Sequence, residues 1–180
     1  MSDAPEAGRN GWVAEALRQH EAALLRYALK LTGKLEWAQD VVQETFLRLC
    51  REEPEGLDGH LAPWLYRVCR HRALDLKRRE HHMNRLEQHS PTELATSEPS
   101  PPERTVRRET AGRVAEMLES LTENQQEVVR LRFQHGLSYR QISEITDLSV
   151  SHVGVLLHTA LKALRTRLSD PETSTGPHQA

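Results

Sequence analysis

The segment HSPTELATSEPSPPE, residues 89–103, constrains this 180-residue chain more than any other stretch. Its four prolines cannot donate to a helix or sheet ladder, and they stand among Ser, Thr and Glu with almost nothing apolar to bury. Burial cannot offset the ordering entropy of such a stretch, so it reads as a flexible interdomain linker. It leaves a domain of residues 10–88 and another of residues 104–170, each of ordinary size for a small helical fold. The last ten residues are expected to be disordered.

Only 4% of the residues are aromatic while 28% are charged, a balance that suits soluble amphipathic helices and not a sheet sandwich. The expected class is therefore all-α: two small helical domains joined by the linker. No apolar run approaches the roughly 20 residues of a membrane span, and the start, MSDAPEAGRNGW, has neither a basic nor an apolar leader. A cytoplasmic protein with no membrane partner is expected. Cys50 and Cys69 each fall at an apolar helix position, where a thiol acts as a small buried hydrophobe. With no CxxC and no His partner they make neither a disulfide framework nor a zinc site.

In the N-terminal domain the first helix is expected from Gly11 to Leu31, with Val13, Leu17, Leu24, Ala28 and Leu31 inward and Thr32-Gly33 ending it. A second helix, Glu36 to Arg51, carries Ala38, Val41, Val42, Thr45, Phe46 and Leu49 as a 3.6-residue stripe. Asp40, Gln43, Glu44 and Leu47 align on its other side. A third helix starts after Pro63, buries Leu65, Val68, Cys69, Ala73 and Leu76, and turns Trp64, Arg67, His71 and Arg78 outward.

The overall charge is −2, but nucleic acid responds to local patches. From Pro63 to Leu86 seven Lys/Arg face two acids, a local balance of +5. The preceding loop is acidic, with Glu52, Glu53, Glu55 and Asp58.

The C-terminal domain opens with a helix from Glu103 to Ser120 whose inner face is Val106, Ala111, Val114, Leu118 and Leu121. Thr122 with Gln125, and Ser138 with Gln141, have capping-box spacing, and Gly136 suits the end of the helix between them. LSYRQISEITDLSVSHVGVLLHTALKALR then fits a helix-turn-helix between Ser138 and Ala160. Ser143 fills its small position, Asp147 the left-handed turn position and Val153 the branched apolar one. The same spacing permits an ordinary helical hairpin, and the basic helix of the other domain weighs towards DNA.

The motifs together resemble a known family. WAQDVVQETFLRL is similar to region 2 of small sigma factors of the extracytoplasmic-function (ECF) type, in the sigma-70 family. PWLYRVCRHRALDLKRR is similar to their promoter-opening helix. LTENQQEVVRLRFQHGLSYRQISEI with LSVSHVGVLLHTALKALR resembles region 4. The resemblance implies a protein that directs bacterial RNA polymerase to promoters and melts DNA. It implies a region 2 domain over 10–88 and a region 4 domain over 104–170. Its partners would be core polymerase, through the largest subunit's coiled coil and the flap region, promoter DNA, and an anti-sigma factor.

The resemblance assigns Asp40, Gln43, Glu44 and Leu47 to polymerase docking, where an acidic face around one leucine suits a basic helix. The bland reading of that face is a solvated helix surface. For the basic helix the resemblance implies capture of the melted minus-ten element. Arg67, Arg70, His71, Arg72, Lys77, Arg78 and Arg79 would meet the strand, with Trp64 shaping the site or belonging to the core. A stacked base is worth about 1–3 kcal/mol. The loop Glu55–Ala62, which in the family receives a flipped base, is acidic here.

One departure stands out. Where the family's recognition helix carries Lys/Arg for the minus-thirty-five element, this chain has Gly154, Leu156, Thr159, Leu161 and Ala163. Arg140, Ser149, Ser151, His152, His158, Lys162 and Arg165 remain as DNA contacts, so upstream binding should be weaker and more salt-tolerant than in relatives. Val155, Leu156 and Leu161 either enlarge the core, the favoured reading, or bind a protein. His81 and His82, with His71 or His89, lack the i, i+4 spacing of a helical metal site, and no metal or other cofactor is expected. No phosphate loop, nucleophile elbow or HExxH occurs, so the chain is not read as an enzyme. A helix-turn-helix regulator or interaction module that does not support initiation is the alternative.

Overall fold

The structure, a computed structural model, describes residues 4–86, 112 and 114–169, and within the first stretch the side chains of residues 11–83. Every regular element among the described residues is helical. The chain divides into two compact units, an N-terminal one holding the first three α-helices and a C-terminal one holding most of the rest. The expected linker, the start of the helix expected from Glu103 with Val106 and Ala111, and the last ten residues lie outside the described residues.

In the N-terminal unit α1 spans Ala4–Thr32, beginning earlier than its apolar pattern does. It ends as its sequence demands. Gly33 takes a positive φ of 73° and its N–H donates to Leu29 O at 2.8 Å, while Thr32 Oγ1 donates to Ala28 O. Helix α2, Leu35–Leu49, buries the six expected residues, Ala38, Val41, Val42, Thr45, Phe46 and Leu49. The buried Thr45 hydroxyl is satisfied by its own helix, donating to Val41 O at 2.7 Å.

A short 3-10 turn, Pro54–Leu57, tucks Leu57 into the core and leads to α3, Leu61–Leu86. This helix starts two residues before Pro63, which sits in its first turn, where a missing N–H costs no helical bond. Leu65, Cys69 and Ala73 are fully buried, Val68 and Leu76 partly so. Tyr66, unexpected in the core, packs edge-on against Tyr27 of α1 with ring centroids 5.2 Å apart.

Two expected core positions are bare. Leu17 is 38% exposed and Cys50 is exposed at the end of α2, because among the described residues of this unit no third element covers that side of the α1 and α2 pair.

In the C-terminal unit residues 114–119 form α4. Leu121 after it is buried and Leu118 half-buried, but Val114 is 51% exposed, outside the core expected of it. Both capping boxes form. Thr122 N–H donates to Gln125 Oε1 at 3.1 Å and Gln125 N–H to Thr122 Oγ1, starting α5, Glu123–Phe133. Ser138 and Gln141 do the same at 2.8 and 3.3 Å for α6, Tyr139–Thr146. Gly136, with φ 68°, turns the chain between them.

Helix α7 spans Val150–Ser169 and packs on α5, burying Val153, Leu157 and Ala160, with Val128, Leu131 and Ile142 buried in the same unit. Gln125 ties this core to its own cap, since its Nε2 donates to Thr159 Oγ1 of α7 at 3.0 Å.

Candidate nucleic-acid interface

The turn between α6 and α7 fixes how α7 is presented. Asp147 has φ 59°, the only positive φ outside glycine among the described residues, and the chain reverses there. Ser143 Oγ donates to Leu148 O at 2.6 Å across the turn, which a larger residue at 143 would block. Ser149 then starts α7 by accepting the His152 N–H at 3.2 Å. The three positions singled out in the sequence thus perform their expected structural roles, with Val153 fully buried.

On α7 the buried residues fix one side, and at about 100° per residue Ser151, His158, Lys162 and Arg165 fall on the other. All four are exposed. His152 is exposed one strip further round, Ser149 is the cap, and the exposed Arg140 stands on α6. Leu156 and Leu161 are half-buried, as a core extension requires. Val155 is not: it is 59% exposed, in the middle of the Ser151 to Lys162 ridge. Its sequence neighbours Leu156 and Leu157 are apolar too, so the pattern along this stretch gave no sign of which of them was bare.

The basic residues of α3 do not form one stripe. Trp64, Arg67, His71 and Arg78 follow each other along one strip, with Trp64 and His71 half-buried and Arg67 and Arg78 exposed. Arg70 and Lys77, seven apart, lie on one flank, and Arg72 and Arg79 on the opposite one. No single line along the helix therefore passes through all of these cations. Arg78 Nη1 also reaches Asp75 Oδ1 at 3.1 Å.

Arg72 points away from that strip and joins α3 to α2. Its Nε lies 2.5 Å from Glu44 Oε2, with both side chains about a quarter to a third exposed, and Arg48 meets the other Glu44 oxygen at 3.4 Å. Glu44 is thereby drawn into the helix pair. Asp40, Gln43 and Leu47 stay outward, Leu47 being 56% exposed.

Beside Leu47 and Gln43 runs a groove of about 480 Å³ between α1 and α2, lined by Val13, Leu17, Val42, Phe46 and Cys50 among others. Sequence reasoning missed it because the apolar periodicity placed Leu17 and Cys50 inside. Glu55 and Asp58 are exposed around the buried Leu57. Among the described residues no group of three His, Cys, Asp or Glu is placed to hold a metal, and no helix is long and apolar enough to cross a membrane.

The sequence matches the family described as Sigma-70 region 2 over residues 16–82 and that described as Sigma-70, region 4 over residues 111–164. It is 34% identical over 157 residues to the ECF RNA polymerase sigma factor SigL of Mycobacterium tuberculosis, covering 84% of this chain and 86% of that protein. It is 29% identical over 163 residues to the RNA polymerase sigma factor YlaC of Bacillus subtilis, covering 87% and 92%. The fold is similar to that of the sigma factor RpoE of Bartonella quintana, solved with the anti-sigma factor NepR. That likeness has a TM-score of 0.62 and 18% identity over 87% of this chain and 96% of the other.

Proposed function

This chain belongs to the sigma-70 family as an ECF sigma factor, and from that premise we propose how its helix faces share the work of directing RNA polymerase to promoters. Core polymerase and promoter DNA are the partners of such a factor, which acts in transcription initiation. A regulator without a role in initiation is not favoured, since the match takes in region 2 as well as region 4.

In this reading the domain of residues 10–88 docks on the polymerase and holds the opened strand. Residues 89–103 link it to an upstream reader over 104–170. Asp40, Gln43 and Leu47 meet the coiled coil of the largest subunit. Glu44 contributes mainly by holding Arg72, because its carboxylate is already engaged on two sides.

The strip Trp64, Arg67, His71 and Arg78 takes the melted strand, with Arg70 and Lys77 on one flank and Arg72 and Arg79 on the other adding positive field. Arg140, Ser149, Ser151, His152, His158, Lys162 and Arg165 meet the upstream element. The C-terminal domain also reaches the flap. The factor works as a non-catalytic subunit in the cytoplasm, and an anti-sigma factor of the kind that holds the Bartonella relative is its proposed regulator.

The observation that carries this reading is the solvent-facing set on α2 directly opposite a completely buried stripe, a helix face with no role in the domain's own core. The test is binding of the full chain to purified core polymerase, with run-off transcription from a promoter mapped after induced expression. D40K and L47D should each weaken core binding at least tenfold while leaving the thermal transition in place. Unchanged binding in both would refute the docking assignment.

A further inference from the structure

We infer that Val155 is a base-reading residue, which selects thymine in the upstream promoter element by contact with its 5-methyl group. The inference rests on α7 being the recognition helix and goes further, by naming the base and the residue that reads it.

Val155 is two residues from the fully buried Val153, about 200° around the helix, so it points away from the core. Ser151 lies four residues before it and His158 three after, both exposed, and Lys162 and Arg165 continue the ridge. An apolar side chain is therefore flanked by groups that bond to base edges and phosphates. Thr159 does not compete for this place, because its hydroxyl donates to Val155 O at 2.9 Å and accepts from Gln125.

Gly154, next to Val155 in sequence, faces α6 instead: a Cβ there would stand 3.8 Å from the Tyr139 ring.

Valine offers no hydrogen bond, and on a major-groove base edge the apolar group available to it is the thymine methyl. Against the other bases it would cover donors and acceptors without satisfying them, which disfavours those sequences. A β-branched side chain in a helix holds essentially one rotamer, so the contact has a fixed position along the groove. The scarcity of Lys and Arg on this helix means that discrimination of this type forms a larger share of upstream binding than phosphate contacts alone would leave.

The test uses holoenzyme assembled from the full chain and core polymerase. Duplexes randomised over the upstream element are selected in parallel with the unaltered protein, V155A and V155T. The best duplex is then resynthesised with deoxyuridine in place of each thymine, which removes only the methyl.

The unaltered holoenzyme should enrich thymine at one or two adjacent positions, and deoxyuridine there should weaken binding about fourfold, the worth of one buried methyl. V155T, which keeps a methyl, should retain the preference, and V155A should lose it and become indifferent to deoxyuridine.

Enrichment of an upstream sequence with no methyl dependence, or with equal dependence in V155A, overturns the assignment of Val155 and leaves the recognition helix standing. Absence of any enriched upstream sequence overturns both. A V155A protein that keeps the full DNA preference but loses a purified protein partner assigns the residue to docking and likewise overturns the inference.

Discussion

The left-handed turn at Asp147 can be tested without disturbing anything else, by comparing D147G with D147A. Both changes delete the carboxylate, so whatever that group does cancels, and the difference reports the backbone at φ 59°. An L-residue in this conformation costs about 1–2 kcal/mol relative to the right-handed one. Glycine escapes that cost but loses about 0.5–1 kcal/mol through its freer unfolded chain. The net expectation is that D147G is more stable than D147A by about 0.5–1 kcal/mol.

For a domain of this size the difference corresponds to a Tm gap of roughly 4 °C. The assay is thermal unfolding of the full chain, with hydrogen exchange of peptides across α6 and α7 to place the effect in the helix-turn-helix. D147N, which also lacks the carboxylate but tolerates the conformation, should fall between glycine and alanine. If alanine equals or exceeds glycine, the turn is not held left-handed and the presentation of α7 derived from it is wrong.

Glu44 and Arg72 should show coupling of about 1 kcal/mol in a double-mutant cycle of E44Q and R72Q read by urea unfolding, as suits a partly buried pair. Zero coupling would return Glu44 to the docking face. Thiol titration should find one reactive cysteine in the native chain, Cys50, and two in denaturant. Burial pushes the Cys69 thiol up to about 12 from an ordinary 9.0. The native state then keeps a proton that the unfolded chain releases, so stability should fall as pH rises past about 9. C69A should flatten that fall, and an unchanged slope would place the loss in other groups.

The parts of this fold that were legible in the sequence are those where a residue's environment depends on its neighbours within two turns. The α2 stripe is the clearest case, because six apolar positions at helical spacing have one side to go to. The capping boxes and the Ser143, Asp147 and Val153 spacing are legible for the same reason, each being a local bond or a local backbone angle.

Leu17, Cys50 and Val114 were not, since periodicity shows which side of a helix is apolar and not whether another element covers it. On α7 the apolar residues run nearly all round, so Leu157 in the core and Val155 in solvent look alike in the sequence. The basic helix shows a third limit. Counting its cations gives the local charge, but that Arg72 is turned towards Glu44 depends on where α2 lies. The proposed division of exposed faces among partners comes from the family resemblance, which periodicity could not replace.

Gln125 has a consequence for timing. One side chain both closes the cap of α5 and bonds to α7, so the start of one helix and the position of another 34 residues on are settled together. Small helical domains fold in microseconds to milliseconds, far ahead of a diffusional meeting between large molecules. On the proposed assignment the C-terminal domain is thus a finished body when it arrives at a promoter. Little of the binding free energy would then be spent on ordering the domain, which favours binding by a surface with so few cations.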